Sequence, residues 1–287
     1  MKILLIGGTR FVGPYVIDLL LESNHDLTVF NRGNFALSRQ DDVKFVKGDR
    51  GEGFSGINDR FDVVIDMCAY RGEQTVRVLK ELKFDFLVHF STVAAYQKAE
   101  IFPIAENSPL GEWEVCGEYG RGKRECEEVL QKSRIPYAAL RPTYILGPKN
   151  YVDRENFIYS RLSNKQPVIL PGNGLAVNQF VFAEEVARSL VLLAENQVVG
   201  AYNCCGDDLI TLKGLVESMA NLIGVDPVIK NNPRTDGVDH NESEFPFAND
   251  NSIFSNEKIK KLGIRFTPLL EGLRRDYQSF YRNNMTS

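Results

Sequence analysis

At 287 residues the chain can bury a full α/β core and still carry a second, smaller lobe. Its 43% hydrophobic and 25% charged residues exclude a disordered chain, and a net charge of −4 gives no global pull toward nucleic-acid phosphates. No apolar run reaches the roughly 18–20 residues that span a bilayer, and the five cysteines, without a Cys-x-x-Cys pair, are expected to be reduced thiols of a cytoplasmic protein rather than disulfides or a zinc site.

The first third alternates strand and helix. Residues 2–6 form a short apolar run stopped by two glycines, which fits a strand buried on both faces better than a signal peptide. Residues 11–21 then have helical spacing, with Val12, Val16, Leu19 and Leu20 on one side and Pro14 in the first turn. Strands are expected at 26–30, 43–46 and 62–66, a helix at 73–82, and a fifth strand at 86–90. A helix over 122–131 and strands at 137–141 and 179–182 follow, then a helix over 184–195 and a strand at 201–204. Strand and helix repeating with short connections imply a doubly wound parallel sheet of the Rossmann kind. The stretch 232–251 is polar and lacks either period, and it reads as a long functional loop or a partly disordered one.

The loop Gly7, Gly8, Thr9, Arg10, Phe11, Val12 and Gly13 sits between the first strand and the first helix. Glycines at that point let backbone N–H groups and the positive end of the helix approach a pyrophosphate, so the loop predicts dinucleotide binding. Arg10 stands where the usual spacing has its middle glycine; it either alters how the ligand is held or faces solvent. After the second strand come Asn31 and Arg32, with no carboxylate to accept from a ribose 2′-hydroxyl. A guanidinium there can pair with a 2′-phosphate, so NADP is favoured over NAD. Asp49 is placed either to accept from the adenine amino group or to cap a turn.

Tyr119 and Lys123 are four residues apart and share a face if both are helical. A tyrosine has an unperturbed pKa of about 10, so it needs a nearby cation to serve as a proton carrier. Thr92, just after the fifth strand, can hold a substrate oxygen. Gly117, Gly120 and Gly122 surround the pair. Either the helix begins late, or close backbone packing requires those glycines. His89 reads as a satisfied core histidine, and Cys204 and Cys205 as buried thiols. Trp113 reads as a stacking or packing residue, and Arg154 as an anion clamp or a surface ion pair.

Taken together these features resemble the extended or atypical branch of the short-chain dehydrogenase/reductase superfamily, the NAD(P)-dependent epimerases and dehydratases. The resemblance runs from the glycine loop through Gly48, Asp49 and Arg50, the segment 91–96, Tyr119 and Lys123, the segment 140–148 and the stretch 179–187. It continues into 202–206 and 260–273. It implies Thr92, Tyr119 and Lys123 as catalytic residues. As cofactor contacts it implies the glycine loop, Asn31, Arg32, Asp49, Arg50, Cys68, Ala69, Lys123 and Pro142. No metal is implied. Dehydratases of this type carry an Asp-Glu pair after the hydroxyl residue, whereas this chain has Val93 and Ala94, so oxidoreduction or epimerisation is expected, on a small molecule such as a nucleotide-activated sugar.

The Gly-Gly-Thr-Arg-Phe-Val-Gly loop, the Asn31-Arg32-Gly33 turn and Phe245-Pro246-Phe247 resemble a narrower subgroup, the chloroplast stem-loop RNA-binding proteins and their bacterial relatives. Those plastid proteins have largely lost the Tyr-x-x-x-Lys pair, which this chain keeps. A working enzyme is therefore expected, with an RNA-binding protein or a cofactor-sensing regulator as the alternatives. The expected division is a cofactor domain over 1–147 and 177–205 and a smaller α/β substrate lobe over 148–176 and 206–287. A homodimer through the helices near Tyr119 is in keeping with the resemblance.

Overall fold

The computed structural model describes residues 1–284. Strands β1 (Lys2–Ile6), β2 (Asp26–Asn31), β3 (Lys44–Lys47), β4 (Arg60–Asp66), β5 (Lys83–Phe90), β6 (Tyr137–Pro142) and a strand at Gly200–Cys204 form one sheet. All its pairings are parallel. Its spatial order places β1 between β4 and β2. The chain thus winds outward from β1 through β2 and β3, then crosses back to build β4, β5 and β6 on the other side. A crevice opens at such a reversal, beyond the carboxyl ends of the central strands.

Strands buried on both faces need near-continuous apolar sequence, and Leu4, Leu5, Val63, Val64 and Ile65 are fully buried. Helix α1 (Val12–Glu22) covers one face beside a helix at Ala183–Asn196, through Val12, Val16, Ile17, Leu20, Val186 and Leu190. Helices α2 (Gly72–Glu81) and α3 (Gly117–Lys132) cover the other, with Val78 and Leu130 against Leu4, Ile6 and Val64. Tyr144–Leu146 and Phe180–Phe182 leave the main sheet and pair with each other as β7 and a partner strand.

A second core lies beside these strands. It gathers Ile158, Tyr159 and Leu162 of α4 (Glu155–Ser163) with Leu215, Val216 and Met219 of a helix at Leu212–Ile223. Leu269, Leu273 and Tyr281 join it, and so do Phe245 and Phe247. The polar stretch 232–251 therefore has an anchored structure. Two short turns, Pro233–Thr235 and Gly237–Asp239, are followed by the buried Phe245 and Phe247. Two isolated aromatic anchors in a polar segment leave no periodic signature.

Helix α3 starts at Gly117, earlier than the 122–131 expected from periodicity. Close packing explains Gly120 and Gly122, where a β-carbon would lie 2.5 Å from the Ala94 and 2.0 Å from the Tyr70 carbonyl oxygen, whereas Gly117 faces open space with a φ of 49°. Ordinary helix propensity cannot register such a contact, because the partner is distant in sequence.

Candidate active site

A single cleft of about 880 Å³ runs from the glycine loop to α3 and on to the stretch 240–252. Gly7 and Gly8 adopt φ of 100° and 80°, conformations that suit glycine. The first turn of α1 has no side-chain cap, which leaves helix-start N–H groups at the cleft. Gly7, Gly8, Thr9, Arg10, Phe11 and Val12 all line the wall. Gly13 instead allows α1 to settle on the loop, since a β-carbon there would lie 2.3 Å from the Gly8 carbonyl.

Asn31 is committed to its own turn: Oδ1 accepts from the Gly33 N–H at 2.8 Å, and Nδ2 donates to the Gly7 carbonyl at 3.3 Å. Arg32 lines the cleft and has no carboxylate within ion-pair distance among the described residues. Arg50 also reaches the wall, but its guanidinium is bidentate to buried Asp66 at 2.6 and 2.9 Å and donates to the Gln74 carbonyl at 3.1 Å. Against the upward push of burial, this arginine holds the Asp66 carboxyl below its ordinary range. Arg50 therefore shapes the wall as part of an ion pair. Asp49 takes the turn-cap role, with Oδ1 accepting from the Gly51 N–H at 2.7 Å, and it too faces the cleft. Cys68 and Pro142 line the wall; Ala69, expected beside them, is fully buried and stands off it.

Thr92, Tyr119 and Lys123 come together deeper in the cleft. Tyr119 keeps 49% of its surface open, and it lines the cleft. Desolvation pushes its hydroxyl up to about 12, while the neighbouring Thr92 hydroxyl pulls the other way. Lys123 is only 2% exposed and donates from Nζ to the Phe90 carbonyl at 2.6 Å. It lies 4.8 Å from the Tyr70 ring. Burial lowers its pKa. The strongest cationic pull on Tyr119 comes from Arg154 rather than from Lys123, a departure from the simple four-residue pairing.

Arg154 stands at the start of α4. Its Nη1 donates to the Ile145 carbonyl at 3.0 Å, and its guanidinium packs 5.2 Å from the Tyr144 ring and 5.8 Å from that of Phe247. No carboxylate pairs with it among the described residues, and its buried Nε has no acceptor. The alternative of a surface ion pair does not hold. Trp113 is a packing anchor that also lines the cleft, with Nε1 donating to Asp250 at 2.9 Å. His89 lies off the cleft, fully buried, with neither ring nitrogen partnered; burial pushes its pKa down to about 4, so it is neutral but not satisfied. Cys204 and Cys205 are buried thiols, and all five cysteines are free.

Wall residues that the sequence does not single out include Phe35, Tyr70 and Tyr151, and Tyr144, His240 and Glu242 stand out only as members of the segments 140–148 and 232–251. They come from loops, or in Tyr144 from a three-residue strand. Among the described residues no His, Cys, Asp or Glu cluster could hold a metal ion, and no helix is long and apolar enough to cross a membrane.

Residues 71–205 match the NAD dependent epimerase/dehydratase family. The chain is 27% identical to the chloroplast stem-loop binding protein of 41 kDa b of Arabidopsis thaliana, over 96% of this chain and 78% of the relative. Among solved structures, a UDP-glucuronic acid 4-epimerase from Bacillus cereus in complex with UDP-glucuronic acid and NAD is similar with a TM-score of 0.81 and 17% identity, covering 99% of each chain. A UDP-glucose 4-epimerase from Thermotoga maritima with UDP-glucose gives 0.77 and 20%, covering 100% of each. At these identities the solved structures establish the fold.

Proposed function

With residues 71–205 belonging to the NAD dependent epimerase/dehydratase family, we propose that the chain is a nicotinamide-dependent enzyme acting on a secondary alcohol or ketone of a nucleotide-activated sugar. The observation that carries this reading is the placement of Thr92, Tyr119 and Lys123 in the same cleft as the glycine loop. A bound nicotinamide supplies a hydride acceptor and donor at its C4. Thr92 holds the substrate oxygen beside the Tyr119 hydroxyl. Tyr119, protonated at neutral pH, gives its proton to a carbonyl oxygen or takes one from an alcohol. Lys123, fixed to the Phe90 carbonyl, holds its amino group on the cleft wall one helical turn from Tyr119.

Val93 and Ala94 follow Thr92 on the wall, so no carboxylate stands there to support elimination. Oxidoreduction or epimerisation fits better than dehydration. Arg154, a cation without an anionic partner, favours a substrate that carries a phosphate or carboxylate. NADP is the preferred cofactor in this reading. Asn31 spends both ends of its amide on its own turn, and Arg32 is left to meet a 2′-phosphate. The solved epimerase from Bacillus cereus holds NAD, so the NADP preference rests on Asn31 and Arg32 alone. Five free thiols support a cytoplasmic setting.

The plant relative's name favours a second reading, an RNA-binding role on the same fold. One experiment separates the two. The purified protein is incubated with NADP or NAD and a panel of nucleotide sugars, and product epimers or cofactor reduction are followed, beside the Tyr119→Phe variant. Turnover that Tyr119→Phe abolishes supports the enzyme. RNA binding that salt weakens and the variant leaves intact, with no turnover on any sugar, replaces it with the second reading.

A further inference from the structure

Thr92 and Tyr119 face the cleft from different elements: Thr92 from the turn after β5, Tyr119 from the first turn of α3. How the strand end meets the helix therefore sets their separation. Three consecutive residues at that strand end are each engaged by one face of α3. The Phe90 carbonyl accepts from Lys123 Nζ at 2.6 Å, the Ser91 hydroxyl donates to Glu127 Oε1 at 2.5 Å, and the Thr92 hydroxyl neighbours that of Tyr119. Tyr119, Lys123 and Glu127 follow at four-residue intervals, so a single stripe of the helix makes all three meetings.

The Ser91–Glu127 tether is backed by a charge from a third element. Glu127 is 1% exposed, and Arg141 of β6 is bidentate to it, with Nε donating to Oε1 at 2.9 Å and Nη2 to Oε2 at 2.5 Å. Arg141 also donates to the Glu106 carbonyl at 3.4 Å and packs 4.6 Å from the Tyr96 ring. Ser91 is anchored through its backbone too, its N–H donating to the Leu140 carbonyl at 2.8 Å. Against the upward push of burial, Arg141 and Ser91 hold the Glu127 carboxyl below its ordinary range, so both its oxygens stay acceptors. A buried ion pair adds little net stability, because desolvation offsets its attraction. Its directional bonds fix one geometry, where an apolar contact tolerates sliding.

We infer that Glu127 and Ser91 are positioning residues, which hold the turn carrying Thr92 at one height against the helix carrying Tyr119, so that both hydroxyls meet the same substrate oxygen. The inference rests on the enzymatic reading above and deepens it. Ser91 lines the cleft, yet it is 2% exposed and turns its hydroxyl to Glu127. Glu127 lies off the cleft wall and acts only through its neighbours. A misplacement of about 1 Å in such a constellation can cost about 10²-fold in rate.

The test joins kinetics to NMR of protein carrying 13C at the tyrosine Cζ, with Tyr119→Phe identifying the Tyr119 resonance. Ser91→Ala leaves the Glu127–Arg141 pair whole. It is expected to lower kcat about tenfold and to keep KM and the NADPH Kd within about twofold. It should also shift the Tyr119 resonance and leave that of Tyr15, on α1 across the sheet, in place. Glu127→Asp keeps the charge that Arg141 requires but falls short of Ser91, and should show the same loss in kcat. The double variant should lose no more than about threefold beyond either single one, since one tether is broken in all three. Multiplied losses overturn the inference, because the two side chains then act apart. An unmoved Tyr119 resonance in Ser91→Ala, or a loss that falls on KM, overturns it as well. If Glu127→Asp folds poorly, Ser91→Ala decides through the resonance and the split between kcat and KM. No turnover by the unaltered chain on any sugar overturns the enzymatic reading itself, and the resonance still decides whether the tether sets the place of Tyr119.

Discussion

A β-carbon placed on Gly122 would lie 2.0 Å from the carbonyl oxygen of Tyr70, so α3 is seated on the connection after β4 with no room between them. That contact sets the height of Tyr119 and Lys123, one helical turn apart, over the cleft. Gly122→Ala should therefore destabilise the fold by about 1–3 kcal/mol, as overpacking does. The expected signature is a lower midpoint in chemical unfolding together with weaker turnover. An unchanged midpoint would show that the backbone yields without loss.

On the proposed function, replacing Tyr119 with Phe removes the proton carrier and keeps the ring. Turnover should fall by about 10²–10⁴-fold, the usual worth of a positioned acid–base group. Cofactor affinity, measured by fluorescence titration, should stay within a few-fold, because the glycine loop is untouched. A variant that keeps a tenth of its activity would move the proton transfer to another group.

Arg32→Ala tests the cofactor preference. NADPH affinity should drop about tenfold or more, consistent with losing a charge-assisted hydrogen bond of roughly 1.5–3 kcal/mol, while NADH affinity holds. Equal weakening of both nucleotides would assign Arg32 to a general electrostatic role. Raising the salt concentration should narrow the difference between the variants, since Arg32 stands at an open wall.

Arg154→Gln should raise the substrate KM about tenfold or more and leave the cofactor Kd within twofold. Because Arg154 lowers the Tyr119 hydroxyl, the pH profile for alcohol oxidation should also move to higher pH. A change in KM without that movement would place Arg154 on the substrate alone.

Glu155 provides a pH test of stability. It is buried, one carboxyl oxygen accepts from the Gly147 N–H, and the other has no partner among the described residues. Burial pushes its pKa up to about 7 from the model-peptide range. Between pH 5 and 7 the folded chain thus holds a proton that the unfolded chain has lost, and stability falls as pH rises through that window. The contribution is at most about 3 kcal/mol. In Glu155→Gln, thermal midpoints between pH 5 and 7 should lose most of that slope. A slope equal to that of the unaltered protein would assign it to other groups.

Much of the cofactor half was legible in the sequence because its chemistry is local. The strand, the glycines and α1 follow one another within twenty residues, and Arg32 comes directly after its strand. Apolar runs such as Val63–Val64–Ile65 announce strands buried on both faces. The substrate half was not legible in the same way. Tyr70, Tyr144, Tyr151 and His240 meet only through the folded chain, from segments with no shared period. The four-residue spacing of Tyr119 and Lys123 placed both on the cleft, yet it could not show that the Lys123 amino group donates to the Phe90 carbonyl. Nor could it show Gly120 and Gly122 as seats for two distant carbonyls, although it left that reading open.

The wall residues His240, Glu242, Pro246, Ala248 and Asp250 all hang from a stretch pinned by Phe245 and Phe247 in the second core. On the proposed function, that anchoring leaves the substrate side of the cleft exchangeable apart from the glycine loop. A graft of residues 236–250 from a related chain, with both phenylalanines retained, should on that reading change the substrate choice and leave nucleotide affinity within a few-fold.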